Sequence, residues 1–137
     1  MHEYLQWPDT RAAVQGLLDG TTHAGYRIRA AYYQSADEYG RPLDDGVPEV
    51  VVYEGSGGAI GYVDRVDELT LDVFAPAGEA AKKVAESVVA SLCGVNISTP
   101  EGFIDTIRAT SAPVDVPYQS ATHSRASATI QAVTRPI

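Results

Sequence analysis

A chain of 137 residues sits near the commonest single-domain length and can bury roughly two thirds of its unfolded surface, enough for one core without staples. Its apolar fraction of 45% and charged fraction of 20% speak against disorder, and its single cysteine, Cys93, excludes an internal disulfide and a cysteine-based zinc cluster within one chain. The formal charge of −8 disfavours direct nucleic-acid binding, which depends on Lys and Arg neutralising phosphates.

No apolar run reaches the roughly 18 residues of a membrane span. The opening Met1-His2-Glu3-Tyr4 lacks the basic start and apolar stretch of a secretory signal. The chain is therefore expected to be soluble, with a single domain over residues 1–137. His2, His23 and His123 are far apart and lack metal-ligand spacing.

Asp9 to Asp19 reads as a short helix, with Asp9 or Thr10 as its cap, Gly20 past its end, and Val14, Leu17 and Leu18 on one stripe. From Gly25 to Gln34 the pattern alternates, with Tyr26, Ile28, Ala30 and Tyr32 on one face, as in a half-buried strand. Ser35 to Pro48 is a long polar loop, of a length that is usually functional or mobile. The run Glu49 to Glu54 (EVVVYE) is a strand, broken by the glycine-rich Gly55–Gly61. Asp67 to Ala75 alternates again, with Leu69, Leu71, Val73 and Ala75 facing one way.

Glu79 to Cys93 carries the clearest helical pattern. Ala81, Val84, Ala85, Val88, Val89, Leu92 and Cys93 make a continuous stripe, and Gly94 is a natural terminator. Gly102 to Arg108 is a further strand. Ser111 to Tyr118 is extended but too proline-marked to be central, and Arg125 to Arg135 alternates as a closing strand. The expected fold is α+β: a mostly antiparallel sheet of about five strands with two helices packed on one face.

Gly55–Gly61 lacks the lysine and Ser/Thr of a phosphate loop, and a hairpin loop that adapts to a partner fits it better. Asp37/Glu38, Asp44/Asp45 and Asp64/Asp67/Glu68 are carboxylate clusters in loops or at a strand edge, read as solvated surface. Cys93 on its helical stripe reads as a buried structural thiol. No catalytic residue, cofactor or metal site is expected, and the chain reads as a building block and not an enzyme.

The segment Asp67–Gly94 (DELTLDVFAPAGEAAKKVAESVVASLCG), the terminal Ala126–Ile137 (ASATIQAVTRPI) and the central EVVVYEG strand carry a resemblance in layout to the tail terminator proteins of long-tailed bacteriophages, of the actinobacterial phage type. The acidic loop Ser35–Pro48 is a departure from that layout. The resemblance implies a structural virion protein, forming a hexameric ring that caps the tail tube, ends tube polymerisation and provides the head-tail joining surface. It implies contacts with copies of the chain, with the tail tube protein and with head-tail connector or neck proteins, at the head-proximal end of the tail after assembly in the host cytoplasm. DNA would pass through an acidic lumen without specific binding.

On this reading the subunit or tube interface includes Gly55, Ser56, Gly57, Gly58, Ala59, Ile60 and Tyr62, together with Asp44, Asp45 and Arg135. The alternatives are another neck protein such as a head-closure component, an acidic DNA-mimic inhibitor, and a small enzyme or ligand-binding domain with a deep pocket of converging Tyr and carboxylate groups.

Overall fold

The computed structural model describes residues 6–36, 38–39, 45–55, 59–60, 64–76, 80–118, 120 and 123–137. Helix α1 (Thr10–Leu18) starts where the Asp9 carboxylate accepts the Ala12 N–H at 3.0 Å. It ends at Asp19, with Gly20 beyond it at φ 78°. That is the left-handed position where a glycine carries no Cβ penalty. Val14 and Leu18 are buried as their spacing requires, and Leu17 packs against the core half-exposed.

The segment expected as one strand from Gly25 is divided. Strands β1 (Thr22–His23) and β2 (Tyr26–Arg27) form a small antiparallel hairpin, turned by Ala24 and Gly25, both at positive φ. Two consecutive positive φ values match the right-handed twist of a tight hairpin. After Ile28 the chain changes partner: β3 (Arg29–Ala31) runs parallel to β4 (Glu49–Glu54). Alternation alone cannot reveal a change of partner, since both pairings keep the same period.

The main sheet continues through β5 (Ala59–Ile60), β6 (Arg65–Pro76), β7 (Gly94–Thr99), β8 (Gly102–Ala109), β9 (Val114–Val116) and β10 (His123–Thr134). Its order is β3-β4-β6-β10-β8-β7, with β5 on β6 and β9 on β10. All pairs except β3–β4 are antiparallel. Among the described residues the sheet thus has eight strands and not about five. It is mixed, mostly antiparallel, and curls into a half-barrel against the helices.

The axis of the fold is the β6–β10 pair, in register from His123↔Pro76 to Thr134↔Arg65. Leu69, Leu71, Val73 and Ala75 on β6 join Ala126, Ala128, Ile130 and Ala132 on β10 in the core, all from alternate positions. Helix α2 (Ala80–Leu92) lies on them through Ala81, Val84, Ala85, Val88, Val89 and Leu92. The alanines of β10 keep that face low, so the helix can approach closely.

The helix stops one residue short of Cys93, which is exposed and not buried. The reason is local. Gly94 opens β7 directly, so the chain leaves the helical path before the Cys93 side chain can turn onto the stripe. Between Thr106 and Ile104, Asp105 is bulged out of the β8–β10 ladder. This lets Ile104 and Ile107, three residues apart, both reach the core.

Candidate assembly interface

The two edges of the sheet are built differently. At the first, α1 covers β3 with polar side chains. Gln15 Nε2 donates to the Ala30 carbonyl at 3.0 Å, and Asp19 Oδ1 accepts the Ala30 N–H at 3.0 Å. Arg11 donates from Nε to the Val52 carbonyl at 2.6 Å and from Nη2 to that of Tyr32 at 3.1 Å, with its guanidinium 4.4 Å from the Tyr32 ring centre. The backbone groups that would template another strand are therefore already used, which protects an edge from pairing.

At the second edge, β7 pairs with β8 alone among the described residues, and four of its six residues are exposed. Val95 is 66% exposed, and Phe103 on β8 is 47% exposed. Asn96 holds φ 56°, a conformation tolerated by asparagine but unfavourable to a regular strand. On the helix side of this edge lies a groove of about 280 Å³, lined by Leu17, Thr21, Leu92, Cys93, Gly94 and Ile97, with His23 and Ser91 on its wall.

His23 is held in place there. Thr21 Oγ1 donates to the Leu18 carbonyl at 2.5 Å, so it accepts from Nε2 of His23 at 2.9 Å, leaving Nδ1 to accept from the Ser87 hydroxyl at 2.9 Å. Burial pushes the His23 pKa down, which favours the neutral ring. The groove wall is thus uncharged at neutral pH.

Of the residues expected at an interface, Gly55 and Ile60 come together. Both line a hollow of about 300 Å³ with Glu54, Arg65, Val66, Asp67 and Glu68. Gly55 lies so close to β6 that a Cβ would sit 3.1 Å from the Glu68 carbonyl, and its N–H donates to that oxygen at 2.6 Å. Ala59 pairs with Val66, and Ile60, 69% exposed, pairs with Arg65. The glycine-rich run therefore returns to the sheet as a two-residue strand.

Arg135 follows Thr134, which pairs with Arg65, so it belongs to the same end of the sheet as Ile60. It donates from Nε to Asp105 Oδ2 at 2.8 Å, and that bond raises its pKa. With Pro8, Gly102, Phe103, Pro136 and Ile137 this pair lines a shallow hollow. Asp45 is elsewhere. It pairs with Arg29 at 3.0 Å beside the first residue of β4, whereas Gly55 follows the last. Desolvation pushes its pKa up, but the Val47 N–H and the Arg29 guanidinium outweigh it and hold the carboxyl below its usual value. Ser56, Gly57, Gly58, Tyr62 and Asp44 lie outside the described residues.

The sequence pattern did not announce two buried carboxylates on the face of the sheet away from the helices. Glu49 accepts from Arg29 Nε at 2.7 Å and from the Ser35 N–H at 2.7 Å, and Asp72 accepts from Arg125 Nη2 at 2.7 Å. Phe74 stands between them, with the Tyr118 ring edge-on at 5.4 Å and the Arg125 guanidinium 5.6 Å from its centre. Their position in alternating strands could not flag them, since both fall where a polar residue is expected to face water. Among the carboxylates first read as solvated surface, Asp67 is instead bonded to Thr10 at 3.0 Å and to Arg65 at 2.8 Å. Among the described residues, no group of three or more His, Cys, Asp or Glu gathers as a metal site. No protein-family model matches the chain, and no curated protein matches it.

Proposed function

We propose that this chain is a non-enzymatic structural subunit that joins copies of itself head to tail in a closed ring, in the manner of a phage tail terminator. In that role a hexamer caps the tail tube, ends its polymerisation and presents the surface that meets the neck proteins at the head-proximal end. DNA passes through its lumen without specific binding, since a protein of net charge −8 repels phosphate.

The observation that supports assembly is the asymmetry of the sheet. One edge is closed by Gln15 and Asp19, while the other, β7, is open and carries exposed Val95. With one edge closed and the other open, the open edge can meet a different patch on the next copy, and such head-to-tail contacts close a ring when the rotation between copies closes. Sedimentation of the purified protein over a wide concentration range, with and without Mg²⁺, should give one closed species with the mass of six chains. A monomer under every condition counts against the closed ring. In a phage that carries it, loss of the protein should yield tubes of unregulated length, and tubes of normal length would refute the capping role.

A further inference from the structure

The pairing register runs across the whole sheet in one row. Ile60 pairs with Arg65, Arg65 with Thr134, Thr134 with Ile104, and Ile104 with Ile97. Residues in one row share a face, and here it is the helix-bearing face, since Ile104 belongs to the core and Ile97 packs against it. The row therefore begins at an exposed isoleucine and ends at the floor of the apolar groove beside β7. Four antiparallel pairings separate β5 from β7, so the two strands point the same way.

We propose that Ile60 of one copy of this chain seats in the β7 groove of the next, between Leu17, Leu92 and Ile97, with β5 running parallel to β7. The contact rests on the ring reading above and names its seam. Moving a second copy along the row brings its Ile60 to the first copy's Ile97 on the correct face, without turning either sheet over. A patch at one edge meets a different patch at the other, as head-to-tail closure requires.

Charge agrees with this occupant. The groove is lined by neutral residues, so two acidic chains meet there without opposing like charges. Around the knob stand Glu54 and Glu68, both lining the hollow that holds Ile60. The neutral groove sets no like charge against Glu54 or Glu68, and Arg65 and Asp67 beside the knob pair with each other.

The test removes the only native thiol, Cys93, and places one thiol at each end of the row, in the full-length variant Ile60→Cys, Ile97→Cys, Cys93→Ser. Within one chain, positions 60 and 97 lie at opposite ends of that row, about 19 Å apart by four strand spacings, beyond the reach of a disulfide. Mildly oxidised, this variant should therefore give a covalent ladder that extends past the dimer. Peptide mapping should show position 60 joined to position 97 of another copy. Ile60→Cys with Cys93→Ser alone should stop at the dimer.

In parallel, Ile60→Asp should raise the concentration of half-assembly roughly tenfold or more, as loss of a buried anchor does. Its circular dichroism should stay native, because the side chain is exposed in the single chain. A closed oligomer with no bond between positions 60 and 97, and with unchanged assembly of Ile60→Asp, overturns this seam and leaves the ring standing. A wild-type protein that stays monomeric overturns both.

Discussion

Glu49 and His23 are both buried polar residues, in environments far from what water would give them. Glu49 is 3% exposed, and Arg29 and Ser35 supply the hydrogen bonds that burial takes from its carboxylate. Substituting Arg29→Ala leaves that carboxylate buried without its cation, and we expect a loss of about 3 kcal/mol in urea unfolding. Replacing both partners together, Arg29→Met with Glu49→Leu, should cost markedly less. An equal cost for both variants would mean that the pair itself is not what matters.

His23 makes the opposite demand, because its burial favours the neutral ring. Its folded pKa is below the unfolded value of about 6.5, so the unfolded state binds the proton first as pH falls. Its contribution is fully present above pH of about 6.5 and declines as pH falls toward the folded pKa. The urea midpoint should drop between pH 7.5 and pH 5.5, and His23→Gln should flatten that slope. A slope unchanged by the substitution would assign it to other groups.

At the level of elements, α1 is both a core helix and the guard of an edge. Its Val14 and Leu18 enter the core, while Gln15 and Asp19 reach sideways to the backbone of Ala30. Gln15→Ala with Asp19→Ala removes both bonds, at about 1 kcal/mol each. Faster amide exchange at Ala30 is the expected signature, with exchange in β6 and β10 unchanged. Exchange rising equally everywhere would show global loss and not a loosened edge. Helix α2 has no such second duty. Its stripe lies over the β6–β10 pair, and the chain emerging from it forms the open strand at once. The closed edge and the open edge are thus each tied to the end of a helix.

At the scale of the whole molecule, the half-barrel is incomplete. The helices cover the middle of the sheet, and beyond the last turns of α1 and α2 the groove beside β7 is where a further strand would lie. A second copy can supply that strand without changing either fold, so assembly should leave the far-UV spectrum of the subunit unchanged. This distinguishes docking of preformed surfaces from folding coupled to binding, which would show a large gain in ordered structure.

Much of this was written in the sequence, because apolar periodicity is local. The stripe of α2, the alternation of β6 and β10, and the cap at Asp9 depend only on neighbours a few residues apart, and each formed where its spacing placed it. The strands that escaped are those whose existence depends on a distant partner. β7 reads Gly-Val-Asn-Ile-Ser-Thr, with no buried residue to give it a period, and only β8 makes it a strand. β5 is two residues in a glycine-rich run, held by Val66 and Arg65. Cys93 fitted the helical stripe by count, but the chain turned away one residue earlier. Of the expected interface residues, Gly55 and Ile60 share one hollow while Asp45 lies apart, and no spacing along the chain could have separated them. The row joining Ile60 to Ile97 exists only through four pairings between segments far apart in sequence, so tertiary structure alone decided it.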